Sequence, residues 1–430
     1  MWNSKLETLD RTSLEELQMR KLARALESAA RTSYYSRVFA DCGIEVAKIR
    51  SIRDIKELPF TTKNDLRLSY PDGMLAVPRG DVVRMHASSG TTGKSTVIFY
   101  TMKDVGDWAD LVARCMAATG ATREDVFQNM MGYGLFTGGL GLHYGAERLG
   151  CLVIPSAAGN TLRQIQLIRD FGTTIIHITP SYALHLGDEA AAQGIDPKRL
   201  AVKKAYLGAE PYSEATRDKI EAQWGLDAYN SYGLSEMNGP GVAFECVEKK
   251  GMHIWEDYYY IEVIDPDSGR LLSDGEQGEL VITHLNREAM PMIRYRTRDL
   301  TAVIPEPCPC GRSHRRIERI KGRTDDMLFI GGVNVFPSQI ETVLMNVPEV
   351  GNNYQIVLDR QENLDRMHIR VELYSKMFHR DLRELERLRS QLVKELQALI
   401  AVTPRIEILE PGSLPPSTGK AVRVIDNRKI

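Results

Sequence analysis

No apolar run in this 430-residue sequence approaches the roughly 18–20 residues that a bilayer span requires. Met1 to Leu22 mixes Glu, Asp, Lys and Arg and has no apolar core segment. Neither a secretory leader nor an organelle presequence is therefore expected, and the expected location is cytoplasmic. Cysteine is scarce: six residues do not make a disulfide scaffold. Cys42, Cys115 and Cys151 stand alone in apolar or mixed contexts and are expected to be buried, reduced thiols. A surplus of charge is missing too. The formal net charge is −2, and basic clusters such as Arg312, Arg315, Arg316 and Arg319 are short. That balance gives no reason to expect a nucleic-acid or membrane partner. Internal repeats and low-complexity segments are also absent.

Apolar residues make up 43% and charged residues 26%, the balance of a water-soluble globular chain long enough for two or three domains. Ser13-Leu14-Glu15-Glu16 fits a capping box, and Leu14, Leu17, Leu22 and Leu26 follow at helical spacing, which predicts an amphipathic N-terminal helix. From Val97 to about Leu207 short apolar runs alternate with helical patterns. Thr96–Tyr100, Cys151–Pro155, Thr173–Thr179 and Ala205–Leu207 read as strands, with helices at Thr161–Phe171 and Ser213–Trp224. This predicts a large α/β layered domain. Beyond Trp255, strands Tyr258–Ile264, Glu279–Thr283 and Met292–Arg296 predict a β-rich subdomain, with a turn at Asp265–Gly269. The last hundred residues read as helix Pro337–Met345, strands Asn353–Leu358 and Met367–Leu373, helix Arg380–Ile400 and strand Arg405–Leu409. That order predicts a small α+β C-terminal domain of the split βαβ sort. The junction falls in the polar stretch Lys321–Asp326, dividing the chain into residues 1–322 and 323–430.

Ser88-Ser89-Gly90-Thr91-Thr92-Gly93-Lys94 is the strongest local signal. Glycines let backbone N–H groups approach an anion, the hydroxyls add donors, and Lys94 adds positive charge. A Walker A loop needs four residues between its glycines and opens a helix. Here two separate Gly90 from Gly93 and a strand follows, so a phosphate loop of another type is expected.

This segment resembles the phosphate loop of the adenylate-forming superfamily of acyl-CoA synthetases, peptide-synthetase adenylation domains and luciferases, with Ser95 where that family usually has proline. Ser231-Tyr232-Gly233-Leu234-Ser235-Glu236 resembles the family's Tyr-Gly-x-Ser/Thr-Glu element. The resemblance implies that Glu236 helps hold Mg²⁺ on ATP, a role suited to a hard carboxylate oxygen. Gly208-Ala209-Glu210-Pro211 resembles the loop that lines the adenine. Asp299, in Tyr295-Arg296-Thr297-Arg298-Asp299, resembles the aspartate that binds both ribose hydroxyls. Gly322-Arg323-Thr324-Asp325-Asp326 is similar to the family's hinge, with Arg323 reaching the nucleotide and Asp325 absorbing a domain rotation. Lys420, in Ser417-Thr418-Gly419-Lys420, matches the mobile-loop lysine that stabilises charge during adenylation.

The short N-terminal region, the stretch Tyr133 to Gly141, then His143–Glu147, and the closing Gly419–Arg423 resemble the phenylacetate–CoA ligase branch over essentially the whole chain. Tyr133, Phe136 and Gly138 are expected on the wall of an aryl-acid pocket; ordinary core packing of a Gly-rich segment is the alternative. Cys308-Pro309-Cys310 with Cys246 and His253 makes a Cys₃His set, which predicts a structural zinc. The alternative is buried thiols plus a surface histidine, and His314 is a spare ligand.

The resemblance implies ATP-dependent activation of an aryl acid as acyl-AMP, then transfer to coenzyme A, with small-molecule partners only and a homodimer by family habit. Two other outcomes stay open. Relatives exist that pass AMP to another acceptor, such as a deazaflavin cofactor, without forming a thioester. A nucleotide sensor without turnover is the second, disfavoured by the presence of both Glu236 and Lys420.

Overall fold

A computed structural model of the chain describes residues 1–88, 95–330, 333–361, 364–374, 381–415 and 421–428, with the side chains of Gln361 and Leu364 excepted. The leucine spacing at the N-terminus becomes helix Arg11–Ala29, which buries Leu14, Leu22, Ala25, Leu26 and Ala29. Its cap is Asp10, not Ser13. Asp10 accepts the Ser13 backbone N–H at 2.9 Å, and the Ser13 hydroxyl donates to the other Asp10 oxygen at 2.6 Å. A carboxylate is the better acceptor at the positive end of a helix, so the serine moves into the first turn.

The chain folds into two compact units. One comprises Met1–Ala157, Thr174–His177 and Tyr229–Ile320; the other comprises Ala158–Thr173, Ile178–Ala228 and Lys321–Ile430.

In the first unit strand Val126–Asn129 lies parallel to Leu152–Ile154 on one side and Ile175–Ile178 on the other. Helices Met102–Ala118 and Gly138–Leu149 accompany these strands, as the α/β pattern predicts. An antiparallel series follows, running Asp227–Leu234, Gly239–Glu245, Met252–Ile254, Arg316–Ile317 and Val303–Ile304. Strands Tyr259–Ile264, Gly278–His284 and Met292–Thr301 form the expected antiparallel β-rich part. A short hairpin pairs Arg84–Ala87 with Val97–Tyr100.

The second unit carries helices Thr161–Phe171, Pro180–Ala192 and Glu214–Trp224 and strand Lys204–Leu207. Its C-terminal part follows the predicted order. Strands Val350–Gln361 and Leu364–Leu373 are antiparallel, and Arg405–Leu409 joins the second in parallel. Helix Leu382–Ile400 turns Leu388, Leu392, Leu396 and Ile400 toward a core that includes Ile340, Leu344, Ile356, Ile369 and Val371. Strand Val424–Asp426, absent from the sequence reading, adds to the free edge of Val350–Gln361.

Cys115 and Cys151 are buried as expected, whereas Cys42 is exposed. It caps helix Ser33–Asp41 beyond the buried face made by Tyr34, Tyr35 and Phe39, so nothing covers it. Among the described residues no helix is long and apolar enough to cross a membrane.

The first unit also buries charge. Arg114 and Asp257, both with fully buried side chains, form a two-point ion pair at 2.7 and 3.1 Å. Glu256 receives Arg11 at 2.9 and 2.9 Å and Arg315 at 2.8 Å. Burial opposes ionisation of Glu256, but Arg315 and Arg11 prevail and hold its carboxyl at about 2 against an ordinary 4.5.

Asp257→Asn leaves the Arg114 guanidinium buried without its counter-charge. It is expected to cost about 3–5 kcal/mol, read from urea unfolding at pH 7. Glu256 titrates lower in the folded state than unfolded, so its stabilisation is complete above pH 4.5 and is lost as pH falls toward 2. Unfolding free energy should decline through that window, and Glu256→Gln should flatten the decline.

Candidate active site

The hairpin Arg84–Ala87/Val97–Tyr100 presents the predicted phosphate loop. Ser88 closes its stem: the backbone N–H donates to Thr96 O at 3.1 Å, and the two hydroxyls hydrogen-bond to each other. Ser89, Gly90, Thr91, Thr92, Gly93 and Lys94 lie outside the described residues.

Strand Asp227–Leu234 delivers Ser231, Tyr232 and Gly233 to a turn, Ser235–Met237, that holds buried Glu236. A Cβ at Gly233 would run into the Gly239 carbonyl, so the strand reversal demands glycine. The Tyr232 hydroxyl donates to Asp299 Oδ2 at 2.6 Å, with both residues buried. Two motifs 67 residues apart therefore meet through one short, charge-assisted bond.

The Gly-rich segment joins the same region. Thr137 Oγ1 lies 3.2 Å from Ser235 Oγ. Leu135 O accepts both the Ala87 N–H and the His86 ring N–H at 2.9 Å, which ties this segment to the hairpin stem. The Tyr133 hydroxyl accepts from Asn129 Nδ2 at 2.9 Å and lies 3.1 Å from His143 Nδ1. Burial pushes the Tyr133 phenol up to about 12. Phe136 is 47% exposed and lies over buried Gly138, where a Cβ would come within 2.7 Å of the ring. An exposed aromatic face beside a glycine is a surface that a planar guest can pack against.

In the second unit Gly208-Ala209-Glu210-Pro211 follows strand Lys204–Leu207, with Ala209 at φ 68°. Glu210 spends both carboxylate oxygens on backbone N–H groups, those of Ser181 at 2.7 Å and Ala421 at 3.0 Å. Arg323 pairs with Asp325 at 2.8 and 3.0 Å, so the two predicted hinge residues engage each other. Lys420 lies outside the described residues.

Comparison with known proteins gives the same grouping. The family model for AMP-binding enzyme matches residues 39–286, and that for the AMP-binding enzyme C-terminal domain matches residues 332–428. Phenylacetate-coenzyme A ligase of Pseudomonas putida is 47% identical over 98% of this chain and 96% of its own length. The Thermus thermophilus protein of the same name is 46% identical over the full length of both chains. The chain belongs to the AMP-binding enzyme family, in the phenylacetate–CoA ligase branch. Its fold matches 2-hydroxyisobutyryl-CoA ligase in the postadenylation state with R3-HIB-AMP, at a TM-score of 0.93 and 28% identity over 99% of this chain and 92% of that one. The same ligase with 2-HIB-AMP and CoA in the thioesterification state scores 0.73 at 29% identity, with the same coverage.

This family member also brings its predicted thiol and imidazole groups together. Cys246 directly follows strand Gly239–Glu245, His253 sits in Met252–Ile254, and Cys308 and Cys310 precede Arg316–Ile317, which pairs beside His253. The four ligand atoms lie within 4.8 Å of one another. Cys246 and Cys308 sulfurs are 3.7 Å apart, and Cys310 Sγ is 3.3 Å from His253 Nε2. Two sulfurs each ~2.3 Å from a tetrahedral ion stand ~3.8 Å apart, so the set fits zinc. Bonding to Cys246 and the nearby His253 hold the Cys310 thiol far below its ordinary value. The His253 Nδ1 lies 3.1 Å from His314 O, an orientation that turns Nε2 toward the thiols. His314 is not a ligand: its own nitrogens face Leu6 O at 3.0 Å and the Glu256 N–H at 2.9 Å.

Arg287 and Asn238 escaped the sequence reading. The Arg287 guanidinium donates to Glu236 O at 2.8 Å and also to the Asn238 side chain, and it lies over the Tyr100 ring. A buried arginine in the run His284–Glu288 carries no local pattern that separates it from a surface charge.

Proposed function

We propose that the protein joins an aryl carboxylic acid, phenylacetate in the first instance, to coenzyme A through an acyl-adenylate. The carrying observation is the Tyr232–Asp299 bond, which joins two of the family-like motifs at a buried carboxylate and supports a nucleotide role for it. A carboxylate can accept two hydrogen bonds from a ribose diol, which suits the residue type to that role. In this reading Ser88–Lys94 hold the phosphates, and Gly208–Pro211 with Arg323 serve the rest of the nucleotide. Glu236 offers hard oxygens that suit Mg²⁺, which neutralises phosphate charge when bound. Tyr133, Phe136 and Gly138 receive the acid.

In the first step the acid's carboxylate oxygen attacks the α-phosphorus, the bond to the β-phosphate bridging oxygen breaks, and pyrophosphate leaves. Lys420 stabilises the charge that builds on the α-phosphate. In the second step the CoA thiolate attacks the acyl carbon and AMP leaves. The catalytic power comes mostly from positioning and electrostatics. The proposed functional division is an adenylation domain, 1–322, and a mobile C-terminal domain, 323–430, that turns about Asp325 between the two steps. The reading extends to a homodimer in the cytoplasm, where ATP and CoA are supplied.

AMP release from ATP and Mg²⁺ is measured over aryl and alkyl acids with and without CoA. AMP that appears only with CoA and with one class of aryl acid is expected. AMP or pyrophosphate formed equally without CoA would replace the thioester by another acceptor, and silence across the panel would overturn the substrate assignment.

We also propose that Cys246, His253, Cys308 and Cys310 hold one structural zinc. Protein purified without chelator should contain one zinc per chain by elemental analysis. Cys310→Ser should lose it and unfold at lower temperature. Metal-free protein of unchanged melting temperature would refute the assignment.

A further inference from the structure

The two bonds of Glu210 have no role in the chemistry set out above. Oε1 accepts the N–H of Ser181, the second residue of helix Pro180–Ala192. The first N–H groups of a helix lack intrahelical partners and favour an anion, so this end of the carboxylate is firmly seated. Oε2 accepts the N–H of Ala421, one peptide bond from Lys420. Two residues further on, the Arg423 guanidinium packs 4.2 Å over the Tyr354 ring and donates to Tyr354 O and Asn352 O at 3.3 Å each. Strand Val424–Asp426 then joins the sheet. From residue 423 onward the segment is held by its own sheet; at residue 421 it is held by Glu210.

We propose that Glu210 is a positioning residue for adenylation: its carboxylate bridges a helix start to the backbone N–H of Ala421, and the step assigned to Lys420, the preceding residue in the chain, depends on that bridge. It acts through the loop and does not touch the reacting atoms. Both Glu210 oxygens accept backbone amides, which leaves the proposed adenine contact of Gly208–Pro211 to the other atoms of that loop. The inference rests on the acyl-adenylate reading and adds a residue to it.

Full-length Glu210→Ala and Glu210→Gln are compared with the unaltered enzyme in two half-reactions, acid-dependent ATP–pyrophosphate exchange and thioester formation from preformed acyl-AMP and CoA. Loss of a charge-assisted bond should slow exchange about 10- to 100-fold in Glu210→Ala, in kcat more than in the KM for ATP. Glu210→Gln keeps one acceptor oxygen and should fall between. Thioester formation should lose less than about threefold. On a Lys420→Ala background Glu210→Ala should add nothing further, as two residues acting through one step require. Equal losses in both half-reactions, or multiplying losses in the double variant, would overturn the proposal. Unaltered enzyme without exchange for any acid would instead condemn the acyl-adenylate reading.

Discussion

A carboxylate taken out of water needs a cation or well-aimed N–H groups, because its desolvation otherwise exceeds what packing returns. The first unit is organised around that requirement. Glu7 pairs with Arg312, Glu256 with Arg11 and Arg315, Asp257 with Arg114, Glu262 with Arg294, and Glu279 with Arg296. Several of these pairs join residues more than 140 positions apart. They pin the N-terminal residues to the segment that begins at Cys308. The loop that offers two thiols is thus oriented by arginines at 312 and 315 before any metal is considered. Removing one partner leaves an uncompensated charge, so these pairs act as a condition on the fold more than as a gain in stability.

The same requirement governs Asp299 in the first unit and Glu210 in the second. Asp299 takes its donor from Tyr232, and Glu210 takes two backbone amides. In one case the donor is a neutral phenol. In the other, backbone donors occupy both oxygens. The residue type alone does not separate these fates; the partner does.

That distinction marks what the sequence could reveal. Elements with a strong period are legible to within a residue or two. Helix Thr161–Phe171 and strand Arg405–Leu409 match their predicted bounds, and the i, i+4 leucines of Leu382–Ile400 point where their spacing directs. The Cys₃His set was legible as residue types, but its assembly depends on strands Gly239–Glu245, Met252–Ile254 and Arg316–Ile317 pairing side by side. Strand Val424–Asp426 is three residues long and partly exposed, so it carries no pattern apart from the edge it joins. Ser13 lost the cap to Asp10 because both are good capping residues and charge decides between them. Arg287 and the bonds of Glu210 were invisible, since contacts across long separations leave no local trace.

In the second unit the C-terminal strands are tied to the helices beside them largely by polar bonds. Glu341 accepts from Ser213 N at 3.1 Å, Thr216 Oγ1 at 2.7 Å and Tyr354 Oη at 2.9 Å. Lys219 donates to Val350 O at 3.2 Å, and Asn352 donates to Asp188 at 2.8 Å. With Glu210 and Ala421, these bonds join helices Pro180–Ala192 and Glu214–Trp224 and the loop at Glu210 to the C-terminal strands. Each has a charged partner and is worth about 1.5–3 kcal/mol net, since water replaces either partner once the bond opens. An apolar seam of equal size would leave exposed surface on separation and resist it, at about 25 cal/mol per Å². The hydrophobic core of the C-terminal part lies mainly within its own strands and helices, with Ala215 an added contact at its edge. Strong internal packing and weak, directional attachment are what a domain needs if it is to rotate as a body without unfolding.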